Sequence, residues 1–172
     1  MISISVPIMK TEELSKIDLT LCDNIKIVGV KGFADGSLGA QTAWFFDSYK
    51  NNPQNFGLAT AELASGELER KAMFADRLGL QISVHAIGDR AVHEVLNLYE
   101  RLRLQNRQSN IMHRVEHAQH VNYSDIKRFS GLGLIASMQP FHFYYDKEPI
   151  ENLLGNQRLE EAFRVKELLA SK

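Results

Sequence analysis

The stretch Leu80-Gln81-Ile82-Ser83-Val84-His85-Ala86-Ile87-Gly88-Asp89-Arg90-Ala91 decides the fold class. Its first seven residues alternate apolar and polar side chains, which reads as a strand. Asp89 then stands where a helix cap is wanted, and Ala91, Val95, Leu98 and Leu102 recur at helical spacing over 90–104. A strand running directly into an amphipathic helix is one βα unit.

The same rhythm extends outward in both directions. Upstream, Met1–Ile8 reads as a strand stopped by Pro7, and residues 25–35 as a buried strand entering a Gly-rich loop over 36–60. A helix over 62–78 follows, with Leu68, Ala72, Ala75 and Leu78 on one face and Gly79 as its stop. Downstream come a strand near 111–118, a short helix from Ser124, capped by that serine, to Ser130, and a strand over 133–138 closed by Pro140. A last helix over 157–170 carries Leu159, Ala162, Val165 and Leu169. Strands alternating with helices imply parallel βα units joined by right-handed crossovers, so the class is α/β. Periodicity alone leaves a doubly wound sheet and an arc of a barrel both open.

Composition narrows the function classes. The 172 residues carry 20 Lys+Arg against 21 Asp+Glu, a net charge of −1, which offers no basic field for a phosphate backbone. Nucleic acid is excluded as a partner. A hydrophobic share of 44% with 24% charged residues suits one globular domain. The single cysteine, Cys22, cannot make an internal disulfide. No apolar run approaches the roughly 20 residues of a membrane helix, and Met1–Pro7 lacks the basic flank and apolar core of a signal peptide. The expectation is a cytoplasmic protein without a membrane partner.

Alternation along the strands sorts side chains into two faces. Ile82 and Val84 oppose Gln81, Ser83 and His85; Leu134, Ala136 and Met138 oppose Ile135, Ser137 and Gln139; Val28 and Val30 oppose Ile27, Lys31 and Asp35. The second set grows polar toward the C-terminal strand ends, where parallel α/β proteins keep their active sites. Taken singly, Lys31 reads as a strand-end lysine reaching solvent, His85 as a hydrogen-bonded core histidine, and Gly36 and Gly39 as turn glycines. Together they mark a site. His93 and His120 read as surface residues without a role.

Two motifs compete around His117. His113-Arg114-Val115-Glu116-His117 fits H-x-x-E-H, a zinc-protease pattern that requires a helix, so that both histidines share a face. The alternation of Ile111, His113, Val115 and His117 favours a strand instead. That strand would turn Arg114 and Glu116 toward the helix layer, where charges must be paired.

Four ordered motifs carry a resemblance: Val30-Lys31-Gly32-Phe33-Ala34-Asp35-Gly36-Ser37-Leu38-Gly39, Val84-His85-Ala86-Ile87-Gly88-Asp89-Arg90-Ala91, Arg114-Val115-Glu116-His117-Ala118-Gln119, and Ala136-Ser137-Met138-Gln139-Pro140. From about residue 25 onward, the chain resembles the amidohydrolase superfamily, in the branch related to N-substituted formamide deformylase. The resemblance implies a metal-dependent hydrolase on a TIM (β/α)8 barrel, cleaving C–N bonds in non-peptide amides or cyclic amides. It implies metal held by an H-x-H pair on strand one, a carboxylated lysine on strand four, histidines on strands five and six, and an aspartate on strand eight. Carried over by motif, the lysine is Lys31 and the histidines are His85 and His117. Gly36 and Gly39 would shape the loop after strand four, and Gln139 would lie near the substrate. The expected cofactor is one or two divalent ions, zinc first, although such ligands suit manganese, iron or nickel as well.

The sequence departs from that pattern in two ways. It has no H-x-H, and it ends before a strand that would carry the aspartate. A full barrel takes about 250 residues. Residues 1–172 are therefore expected to form one partial barrel domain, from about strand three through the helix after strand seven, without catalytic residues of its own. Its expected activity is weak or absent, and its exposed edges invite homo-oligomers. A non-catalytic binding or regulatory protein on the same scaffold is the alternative. Trp44, Phe45, Phe46 and Tyr49 in the 36–60 loop read equally as an apolar substrate pocket and as a local mini-core.

Overall fold

Five short apolar runs pair side by side in chain order, and that order settles the architecture. The computed structural model describes residues 2–171. Strand β1 (Ile2–Pro7) is followed by a single 3-10 turn (Ile8–Lys10), α1 (Thr11–Leu14), β2 (Thr20–Cys22) and β3 (Ile25–Phe33). A long loop leads to α2 (Ala61–Ala64), α3 (Glu67–Arg77), β4 (Gln81–Ala86), α4 (Asp89–Gln105), β5 (Arg114–His117), α5 (Tyr123–Gly131) and β6 (Ile135–Ser137). The chain continues through α6 (His142–Leu153), α7 (Asn156–Glu160) and α8 (Val165–Ala170).

The sheet order is β1-β3-β4-β5-β6, all parallel, with β2 antiparallel against the start of β3. A doubly wound sheet reverses its strand order at a switch point; here each parallel strand pairs with the next in sequence. That singly wound order is the arc of a (β/α)8 barrel.

Register places Gly32, Val84, Val115 and Ala136 in one row beneath the helices, with Val30 and Ile82 in the row before. Leu68, Ala72 and Ala75 of α3, Val95, Leu98 and Leu102 of α4, and Ile126 and Phe129 of α5 close over those rows. Each large apolar side chain buried there contributes about 1.5–3 kcal/mol. On the opposite face, Lys31, Ser83, Arg114 and Ile135 form one row and Phe33, His85, Glu116 and Ser137 the next.

Several local expectations need correction. Arg114 and Glu116 do not face the helices; Val115 does, and the two charges share the face of Lys31 and His85. Below Gly29 the β3 pattern inverts, because Val28 is an extra residue where the register to β1 shifts. Ile27 is therefore buried with Val30, while Val28 is 38% exposed. The helix over 62–78 is broken between α2 and α3 by Gly66, whose φ of 78° is left-handed. Residue 157 does not start one long helix, since Phe163 takes a φ of 53° between α7 and α8. Helix α6, which contains Pro149, was not foreseen. Asn122, not Ser124, precedes α5, and no side chain caps it. Asp89 does not cap α4 but accepts the Phe46 backbone N–H at 3.0 Å, pinning the long loop. His120 is buried rather than on the surface, and His93 hydrogen-bonds the buried Asp125 at 2.9 Å. Among the described residues, no helix is long and apolar enough to cross a membrane.

Candidate metal centre

Lys31, on β3, lies on the polar face with its Nζ 5.2 Å from the centre of the Phe33 ring. Burial pulls its pKa below the ordinary lysine value; Glu116 opposes that shift and Arg114 adds to it. The amine is thereby biased toward its neutral form.

His85 stands one row further along, on β4. Its Nε2 lies 2.9 Å from the Gly36 carbonyl oxygen. A carbonyl only accepts, so Nε2 carries the proton and Nδ1 keeps its lone pair. Burial also depresses the His85 pKa, keeping the ring neutral. Behind it, Asp35 Oδ1 is 3.5 Å from Nε2. The Asp35 carboxylate accepts the backbone N–H groups of Ile87 at 3.0 Å, Gly88 at 2.8 Å and Trp44 at 2.9 Å. Those bonds tie the ends of β3 and β4 to the long loop. Burial nevertheless pushes the Asp35 carboxyl up to about 7, outweighing the three donors.

His117 reaches the site by an irregularity. Glu116 already faces the polar side, so strict alternation would send His117 to the helix layer. Instead His117 has φ 71° and Ala118 φ 43°. Two consecutive left-handed residues without glycine cost about 1–2 kcal/mol each. Bonds from Ala118 N–H to the Ala86 oxygen at 3.1 Å and from His120 N–H to the Ile87 oxygen at 3.0 Å hold the turn. It swings the His117 ring to 4.6 Å from His85, centroid to centroid, at 69°. Burial, then the charges of His85, Lys31 and His142, hold its pKa down to about 4, against a hydrogen bond with Gln139. Gln139 lies half-buried beyond β6, and His142 at the start of α6 stacks 6.2 Å from His117.

The arrangement gathers Lys31, His85, His117 and Gln139, and it adds residues that the alternation argument misplaced or passed over. Arg114 donates to Glu116 and to Ser137 Oγ, each at 2.6 Å. Anchoring the alternation on the buried Val115, not on His117, would have placed Arg114 and Glu116 correctly. The helical H-x-x-E-H reading fails, because Arg114–His117 is a strand. His113 leaves the site altogether: it lies 3.2 Å from Asp76, accepts the Ile82 N–H at 3.2 Å and stacks on Tyr99. In the long loop, Phe45 and Tyr49 form a mini-core with Ile150 and Leu154, and are not pocket walls.

The donors suit a divalent cation. Metal ligands must be unprotonated, and burial keeps both imidazoles neutral. His85 has the backbone-anchored second nitrogen that fixes a ligating histidine. Among the described residues, no three His, Cys, Asp or Glu side chains converge as a metal-ligand group.

Four similarities accompany this geometry. "Protein LONG AFTER FAR-RED 3" of Arabidopsis thaliana is 38% identical over 142 residues, covering 82% of this chain and 24% of its own length. "Putative amidohydrolase YtcJ" of Bacillus subtilis (strain 168) is 31% identical over 147 residues, covering 85% of this chain and 27% of its own. Two crystal structures of uncharacterized metal-dependent hydrolases superpose at 30% identity. That from Pyrococcus furiosus has a TM-score of 0.84, covering 98% of this chain and 34% of its own. That from Pyrococcus horikoshii OT3 has a TM-score of 0.83, covering 97% and 33%. The chain thus spans about a quarter of the curated relatives and about a third of the solved structures. With the amidohydrolase family profile matching residues 8–172, the chain belongs to the amidohydrolase family and carries its hydrolase scaffold.

Proposed function

We propose that this chain supplies one wall of a metal-dependent active site that hydrolyses non-peptide amides or cyclic amides. Lys31, carboxylated at Nζ, His85 and His117 are its metal ligands, and Gln139 contacts the substrate. The observation that carries the reading is the His85–His117 pair, 4.6 Å apart, on the face that also bears Lys31. That pair exists only because the backbone at His117 and Ala118 accepts strain, and strain of this kind gathers at functional sites.

A bound divalent ion, zinc first among candidates, supplies Lewis acidity toward an amide carbonyl and lowers the pKa of water. The chain's own residues do the rest of the positioning. The Gly36 carbonyl fixes the His85 tautomer, and Gln139 offers both an amide donor and an acceptor beside His117. Asp35 locks the loops that frame the strand ends.

The test is hydrolysis by zinc-loaded protein of small N-substituted amides, cyclic amides, peptides and esters. Weak turnover is expected for the amides alone, abolished by a chelator and by His117→Ala. Preferred cleavage of peptides or esters, or turnover insensitive to chelator, would overturn the reading. Metal binding with no turnover of any substrate would assign the scaffold to binding rather than catalysis.

A further inference from the structure

We infer that the outer edge of β6 takes the outer edge of β1 from a second copy of this chain, as a parallel strand. The inference is independent of the metal reading, and it names the partner of the two open edges of the sheet.

The backbone at the two edges supplies the first argument. Among the described residues, β1 pairs only with β3, and β6 only with β5. Ile135 donates its N–H to the His113 oxygen at 2.9 Å, so Ala136 turns its own N–H and C=O outward. Ile2 donates to the Asn24 oxygen at 2.6 Å, so Ser3 does the same at the other edge. A free edge is ordinarily guarded by charge. No charged residue occurs at positions 1–9 or 131–141.

Side chains supply the second argument. β1 and β6 run the same way in one sheet, so parallel pairing of their edges keeps the two faces in line. Ile4 and Val6 stand beside Ile27 and Val30 on the helix side, and Ala136 stands beside Val115 on that side. The helix side of β6 is hollow: a groove of about 630 Å³ is lined by Phe129, Leu134, Ala136, Met138, Leu168 and Leu169. The β1 end carries the apolar side chains to fill it, with Ile2 58% exposed and Met9, just after β1, 40% exposed. One end of the arc is thus a hole and the other a set of knobs. Two like ends do not fit each other, so the junction runs head to tail. It carries the rim that bears His85 and His117 on into the same rim of the second copy.

The experiment is sedimentation velocity on the full chain over a range of concentration, for the wild type, Ile2→Glu and Leu169→Glu. Both substitutions fall at exposed positions, and circular dichroism checks each fold. Met9→Glu and Met112→Glu, also exposed, repeat the test at the same two ends should a first variant misfold. The wild type is expected to form assemblies of two or more copies that dissociate on dilution. Each variant is expected as a single chain at the same concentration, its association weakened at least about tenfold by the charge set against an apolar junction. Ile2→Glu keeps a sound β6 edge and Leu169→Glu a sound β1 edge, so mixing the two should give one-to-one pairs and nothing larger. A wild type that stays at 19.5 kDa at every concentration would overturn the inference and leave the edges to a different polypeptide. Variants that assemble like the wild type, or a mixture that stays monomeric, would overturn it as well.

Discussion

His120 shows how much a single buried side chain can weigh. It is fully enclosed against Phe45, with a ring-centre distance of 5.1 Å, and its Nε2 has no protein partner. Burial, with Arg158 adding to it, holds its pKa down to about 3. An unfolded histidine titrates near 6.5, so between those values the unfolded chain binds the proton and the folded chain does not. Stability from this residue is therefore complete above about pH 6.5 and is lost as pH falls toward 3. His120→Phe should flatten the acid limb of the stability curve by on the order of 3 kcal/mol between pH 7 and 4, read from urea midpoints. An unchanged slope would contradict the assignment. Asp35 makes a second prediction. Three backbone N–H groups converge on its two oxygens, and asparagine offers only one acceptor there. Asp35→Asn should cost about 2–3 kcal/mol, measured by chemical denaturation. A loss below about 0.5 kcal/mol would mean that the loops are held elsewhere.

At the scale of elements, the junction between β4 and α4 is packed backbone against backbone. A Cβ on Gly88 would run into the Trp44 backbone, whose oxygen accepts the Ala91 N–H at 3.2 Å. Gly88→Ala should therefore lift the long loop off α4 and destabilise the fold by about 2–4 kcal/mol, visible as a lower melting temperature. The strands and α4 were legible from their periods, because each buries one regular face. That regularity placed Lys31, His85, Ser137 and Gln139 on one side. It failed at His117, which the motif resemblance supplied instead, because left-handed backbone at a histidine and an alanine leaves no trace in a hydropathy pattern. The same break reversed the faces of Arg114 and Glu116. Helix α6 escaped notice because it presents Tyr144 and Tyr145 outward, 77% and 63% exposed, and so has no clean apolar stripe. His120 and its neighbours pack through the long loop, whose contacts have no sequence period.

Over the whole molecule, the singly wound strand order puts every strand's C-terminal end on the same rim. The face that points away from the helices thus collects Lys31, His85, Glu116 and Ser137 from four strands. Helix-side burial drives folding, and the opposite face is free to carry polar chemistry. On the proposed function, Lys31, His85 and His117 together bind a divalent ion. The direct test is zinc retained per chain after equilibration and gel filtration, measured for the wild type and for Lys31→Ala, His85→Ala and His117→Ala. Saturable zinc binding is expected of the wild type and at least about a tenfold loss of affinity of each variant, with circular dichroism unchanged. Zinc binding of equal strength in all four proteins, or none in the wild type, would contradict it.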